Sequence, residues 1–217
     1  MYNWDMEFLK NIIEIFLHID KNLMAVAQTY GGLIYVILFL VIFMETGLVV
    51  TPFLPGDSLL FAAGALAALG AFKIFWLYLI VAIAAVLGDT VNYWVGHFIG
   101  PKAFNSNGKF LKKEYLDKAQ TFYDKYGGKA IILARFVPIV RTFAPFVAGI
   151  GKMNYGKFIM FNFIGGVVWT ALFTFGGYFL GNIPIIKENF HYMVLIIIAV
   201  SLVPIIFEII KANSVKK

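Results

Sequence analysis

The chain has 217 residues, 61% hydrophobic and only 14% charged, with a mean hydropathy of +0.83. Soluble domains carry about 45–50% apolar residues, so this composition marks an integral membrane protein with no room for a separate soluble domain. The net charge of +6 does not point to nucleic acid, because the lysines gather between apolar runs, and the lack of cysteine excludes disulfides and thiolate metal sites.

Residues 5–27 set Phe8, Ile12, Ile15, Phe16, Ile19 and Leu23 at helical spacing against Asp5, Glu7, Lys10, Glu14, Asp20 and Lys21. So many charges make a poor span. Segment 1–29 therefore reads as an interfacial amphipathic helix, and it lacks the basic start and small-residue cleavage site of a secretory signal. Tyr30-Gly31-Gly32 opens an apolar run, Leu33 to Met44. Its 12 residues reach about 18 Å, part way across a hydrocarbon core of about 30 Å. Glu45 follows at that depth, then the breakers Pro52, Pro55 and Gly56 with Asp57, then a second short apolar run closed by Gly70. Segment 33–70 thus reads as a re-entrant hairpin whose freed backbone groups must be satisfied inside protein or a wet cavity. Two ordinary spans, 33–54 and 59–80, are the alternative.

A full-length span is expected over 74–100, with Asp89, Asn92, Tyr93 and Gly96 on one inward-pointing face. Segment 101–125 is lysine-rich and reads as a cytoplasmic amphipathic stretch. Tyr126-Gly127-Gly128 then precedes 129–151, which holds Arg135, Pro138, Arg141 and Pro145. An ordinary span would bury both arginines and both prolines, so a second re-entrant hairpin is favoured. Further spans are expected over about 158–180 and 191–211. Trp4, Trp76, Trp94 and Trp169 are candidate interface anchors.

The order Tyr-Gly-Gly, apolar run, breakers and span occurs twice, ending in Gly96-His97-Phe98-Ile99-Gly100 and in Gly177-Tyr178-Phe179-Leu180-Gly181. The chain reads as an internal duplication, repeat one over 30–100 and repeat two over 126–181. One hairpin plus one span per copy inverts the second copy. The positive-inside rule agrees: with 101–129 in the cytoplasm, Lys152, Lys157, Lys211, Lys216 and Lys217 also lie inside, while Lys10, Lys21, Lys73 and Lys187 lie outside. Inverted repeats with broken helices bring their tips together near the midplane of secondary transporters. Glu45 and Asp57 are therefore expected to face Arg135 and Arg141. The arginines can grip a phosphate, and a carboxylate released by its arginine can take a proton. A permanent structural ion-pair network would need the same residues.

His18, His97 and His191 lack ligand spacing, so no metal or other cofactor is expected. Neither a nucleophile elbow nor a phosphate loop appears. The spacing of Lys129 and Arg135 departs by one residue from the lipid-phosphatase signature, and no Ser-Gly-His follows. A non-enzyme is expected.

Three stretches, FMETGLVVTPFLPGDSLLFAAGALA, GDTVNYWVGHFIG and ARFVPIVRTFAPFVAG, resemble the DedA family of bacterial inner-membrane proteins, also called SNARE-associated or VTT-domain proteins. The resemblance covers nearly the whole chain. It implies an all-α polytopic membrane domain with two opposed re-entrant hairpins and a role in envelope integrity, proton-motive force and lipid transport. It places the family's functional acids on Glu45 and Asp57 and its paired arginines on Arg135 and Arg141. The expected function is a proton-linked flippase of an anionic lipid, either a phospholipid or a polyprenyl phosphate such as undecaprenyl phosphate. In that reading Arg135 and Arg141 bind the phosphate, Glu45 and Asp57 carry the proton, Asp89 and Asn92 form a supporting polar face, and Pro52, Pro55, Gly56, Pro138 and Pro145 shape the tips. An uncoupled scramblase and a non-transporting assembly protein are the alternatives. The partners expected are membrane lipids and protons, with no nucleic acid and with homo-oligomerisation left open.

Overall fold

A computed structural model describes residues 19–48, 56–105, 126–189, 192 and 196. The expected interfacial helix before residue 19, Pro52 and Pro55 at the first tip, most of segment 101–125 and most of the last span, 191–211, lie outside the described residues. Among the described residues the regular structure is all helical. The helices are α1 (Ile19–Gly47), α2 (Gly56–Ala68), α3 (Ile74–Asn105), α4 (Lys129–Ala134), α5 (Pro138–Ile150), α6 (Tyr155–Gly181) and α7 (Pro184–Glu188).

Among the described residues, three stretches are long and apolar enough to cross a membrane: Tyr30–Gly47, Ile74–Phe98 and Tyr155–Gly181. Each carries a stripe of exposed large apolar side chains at helical spacing. Val36, Ile37, Leu40 and Met44 form it on α1, Leu79, Ile83, Leu87 and Val91 on α3, and Ile164, Val168 and Leu172 on α6. Water would penalise such stripes, whereas hydrocarbon accommodates them. The first stretch is longer than the part-way run expected from sequence. The helix continues past Met44 through Glu45, whose charge is met by a partner described below.

The local breaks follow glycine and proline chemistry. Gly31 interrupts α1 at φ 35°, where the Tyr-Gly-Gly signal stood. α2 has Asp57 in its first turn, favourable to the helix dipole. It stops at Gly70 (φ 89°), with Gly70 N–H donating to Ala67 O and Ala71 N–H to Leu66 O, a Schellman closure. No single helix therefore crosses 59–80. Segment 129–151 is likewise broken. Extended Val137 precedes Pro138 at the start of α5, because a residue before proline avoids the helical region and proline suits the first turn. At 13 residues each, α2 and α5 measure about 20 Å, short of a hydrocarbon core.

The chain divides into two compact units, one from Met1–Tyr35, Asp57–Leu77 and Phe173–Lys217, the other from Val36–Gly56 and Tyr78–Leu172. In the first, α2 crosses the C-terminal end of α6 with backbone against backbone. A Cβ on Gly64 would overlap the Thr174 carbonyl and one on Gly177 the Phe61 carbonyl. The Tyr35 ring packs edge-on against Phe72, and its hydroxyl accepts the Lys73 N–H at 2.9 Å.

In the second unit α5 crosses α3 in the same manner. A Cβ on Gly96 would overlap the Phe146 carbonyl and one on Gly149 the Tyr93 carbonyl. Beside this crossing Tyr93, Ile131, Ala148 and Phe158 form a buried cluster. The Tyr93 hydroxyl donates to Met153 O at 2.5 Å, tying α3 to the turn before α6.

Candidate functional site

The second unit buries Glu45, Asp89, Asn92, Arg135, Arg141 and Asn162, all polar, five of them within apolar helices and Arg135 at the C-terminal cap of α4. Close helix approach brings them together. Gly47 and Gly88 let α1 and α3 touch, since a Cβ on Gly47 would lie 3.3 Å from Gly88 Cα. At that contact Asn92 of α3 donates both amide hydrogens, to Thr46 O of α1 at 3.1 Å and to Thr142 O of α5 at 2.7 Å. Thr46 O is among the last carbonyls of α1, which have no donor within their own helix. Asn92 supplies one, and in doing so clamps the residues that directly follow Glu45 and Arg141.

Those two side chains form an ion pair, Arg141 NH2 to Glu45 Oε1 at 2.6 Å, with Glu45 only 1% exposed. Gly56 N–H also donates to Glu45 Oε1, at 3.3 Å. A Cβ on Gly56 would overlap the carboxylate, so a larger residue there would push the Glu45 carboxylate aside.

Arg135, at the end of α4, pairs with Asp89 of α3 at 2.5 Å. It also donates to Asn162 Oδ1 of α6 at 2.5 Å and to Ala85 O at 3.4 Å. Asn162 is itself held by donating to Val86 O at 3.0 Å and Thr90 Oγ1 at 3.3 Å. Gly165 on α6 leaves room for the arginine stem, since a Cβ there would lie 3.1 Å from Arg135 Cδ.

Trp169 of α6 lies beneath both cations, with the guanidinium carbons 5.9 Å (Arg135) and 5.4 Å (Arg141) from its ring centroid. An indole face attracts guanidinium, and desolvation strengthens that attraction. The arrangement is two guanidiniums over one aromatic plate, each neutralised by its own carboxylate. A buried charge without a partner would cost several kcal/mol. Chemically, guanidiniums so placed suit a carboxylate or another oxyanion as partner.

The profile of the VTT domain matches residues 54–179. Protein DedA of Escherichia coli strain K12 is 52% identical over 209 residues, 95% of each chain. This chain belongs to the DedA (VTT-domain) family. Among other DedA-family relatives, an uncharacterized membrane protein of Mycobacterium leprae is 45% identical over 165 residues, 76% of this chain and 74% of its own. Inner membrane protein YqjA of Escherichia coli strain K12 is 37% identical over 155 residues, 71% of this chain and 70% of its own. No solved structure matches. These relatives and the three apolar helices make this DedA-family chain a membrane protein.

Of the residues singled out from sequence, Glu45, Arg135, Arg141, Asp89 and Asn92 come together in the second unit. The pairing differs from the expected one, because Arg135 takes Asp89 as its counter-charge. Asp57 sits half-buried in the first turn of α2, in the other unit. Pro138 starts α5, and buried Pro145 lies within it, where its missing N–H removes one backbone hydrogen bond. Sequence reasoning missed Asn162 and misplaced Trp169, which is 1% exposed beneath the arginines rather than at an interface. The available signal was a lone amide beside the Gly165-Gly166 pair in an otherwise apolar span.

The clamp is open to test in this DedA-family site. Asn92→Leu removes the amide hydrogen bonds to the Thr46 and Thr142 carbonyls and should cost about 1–3 kcal/mol. Thermal unfolding in detergent measures it, and Asn92→Gln, which keeps the amide, should fall between the two. Equal stability of Asn92→Leu and wild type would remove the clamp.

Proposed function

We propose that this chain is a proton-linked flippase that moves an anionic lipid across the inner membrane, a phospholipid or a polyprenyl phosphate. The observation that carries the reading is the pair of guanidiniums buried over Trp169 among apolar helices. Two adjacent permanent cations at membrane depth are expensive, and such residues mark transport pathways. Guanidinium binds phosphate oxygens bidentately. Glu45 is the acid that Arg141 leaves when it takes a phosphate, and protonation then relieves its buried charge. Asp57, at the start of α2, is the second proton-carrying acid on the strength of its place in the sequence.

The reading includes two re-entrant hairpins, 33–70 and 129–151, in an inverted repeat. The twin crossings support it. Phe61-Ala62-Ala63-Gly64 of α2 meets Thr174, Gly177 and Tyr178, and Phe146-Val147-Ala148-Gly149 of α5 meets Tyr93, Gly96 and His97. The same four-residue pattern thus serves the same backbone contact, each time against the long helix that closes a repeat.

The test is leaflet exchange of labelled phospholipid and polyprenyl phosphate in proteoliposomes, with and without a pH gradient. Wild type should exchange one of them faster when the gradient is imposed, and folded Arg135→Ala should not. Exchange indifferent to the gradient would make the protein an uncoupled scramblase. A folded wild type that moves neither lipid would overturn the reading.

A further inference from the structure

Asp89 is the buried acid that the proposed transport cycle leaves without a task. Its carboxylate lies 2.5 Å from Arg135 NH2 at 2% exposure, on a helix long and apolar enough to span a membrane. The other acceptors of Arg135, Asn162 Oδ1 and Ala85 O, are neutral. Arg135 is also not saturated: among the described residues its buried Nε has no hydrogen-bond partner. A guanidinium with a spare buried donor and one carboxylate acceptor is arranged to exchange that acceptor for an anion.

We propose that Asp89 is the proton-exchanging counter-charge of Arg135, neutralising it in the empty site and taking up one proton when a phosphate-bearing ligand displaces it. The inference rests on the anion-transport reading and assigns one of its protons. The step balances in charge: Arg135⁺·Asp89⁻ plus ligand anion plus one proton from the medium gives Arg135⁺·ligand⁻ plus neutral Asp89. Arginine keeps its proton throughout.

The charges acting on Asp89 are those of Arg135 and Arg141. Arg141 is itself held by Glu45 of α1. Near Asp89, α6 contributes Asn162 and Trp169, neither of which titrates, and α3 contributes Thr90. Proton uptake at Asp89 is therefore governed by whether Arg135 is occupied. Because Arg141 has its own acid, occupation of both guanidiniums takes up two protons, and removal of Asp89 takes away one.

The experiment counts protons. Full-length protein in detergent is titrated with short-chain phosphatidylglycerol and with farnesyl phosphate by calorimetry in two buffers of different ionisation enthalpy. Comparing variants at one pH with one probe cancels the probe's own titration. Asp89→Asn should take up one proton fewer than wild type, and its affinity should lose about a tenfold fall per pH unit that wild type shows. Asp89→Glu should restore the wild-type count. A purely structural Asp89 would leave the count unchanged, and an equal count in Asp89→Asn would overturn the assignment while leaving anion binding intact. Should Asp89→Asn fail to fold, infrared difference spectra of wild type decide. Ligand binding should raise a protonated-carboxyl band that shifts in Asp89→Glu, and its absence would overturn the proposal. Binding of neither probe by folded wild type would sink the transport reading and this assignment together.

Discussion

Arg141→Ala should destabilise the protein by about 3–5 kcal/mol, because it leaves Glu45 charged and buried with its cation gone. The cost has little to do with what the ion pair contributes in wild type. It is the penalty of one charge left alone in a medium that cannot solvate it. The charge-neutral double variant Glu45→Gln/Arg141→Met should therefore recover most of that loss. Glutamine keeps an acceptor for the Gly56 N–H, and methionine fills much of the arginine's volume. Unfolding in detergent gives the stabilities, and leaflet exchange gives the activity. The expected outcome is a folded double variant without transport, which would separate the role of the charges in chemistry from their role in folding. A double variant that transports like wild type would reduce the pair to a structural fixture. An Arg141→Ala variant as stable as wild type would show that water reaches Glu45.

How much of this was legible before the structure depended on the range of the interaction. Glu45, Arg135 and Arg141 stood out because charged residues in apolar sequence are costly wherever the chain folds, so their burial with partners could be anticipated residue by residue. The breaks at Gly31, before Pro138 and at Gly70 were equally local, set by backbone preferences of one or two residues. Which acid meets which arginine was not local. Asp89 and Arg135 are brought together by helix crossings that depend on glycines of other helices, Gly47 and Gly165, distant in sequence from both. The alternation of Asp89, Asn92 and Gly96 on one face was visible, but it named a face and not a partner. Asn162 gave still less signal, since a single amide in a span fits equally well as a packing residue. Trp169 was misread because tryptophan is common at membrane interfaces, and nothing in its flanking residues reveals two cations arriving from elsewhere in the chain.

Gly96→Ala and Gly177→Ala should each destabilise the protein by about 1–3 kcal/mol, although alanine is the better helix former by about 1 kcal/mol. In both cases the added methyl would overlap a backbone carbonyl, of Phe146 or of Phe61. A carbonyl held in a helix cannot rotate away as a side chain can, so the two helices must separate. Gly176 supplies the control. A Cβ there meets only ring carbons of Phe61, at 3.7 Å and 4.0 Å, an ordinary contact. Gly176→Ala should be neutral or stabilising. Unfolding midpoints in detergent for the three variants check the series. If Gly177→Ala and Gly176→Ala, neighbours on one helix, move the midpoint alike, the close crossing does not govern stability.

The twin crossings bear on how such a chain could have arisen. The short helix of residues 56–68 is received by a helix from the later half of the sequence, and the short helix of residues 138–150 by one from the earlier half. Neither half contains the glycine groove that its own short helix fills. On the proposed reading of two inverted copies, a single copy would have had to find that groove on a second molecule, and fusion would have made the exchange permanent. On that reading each half is the other's missing subunit.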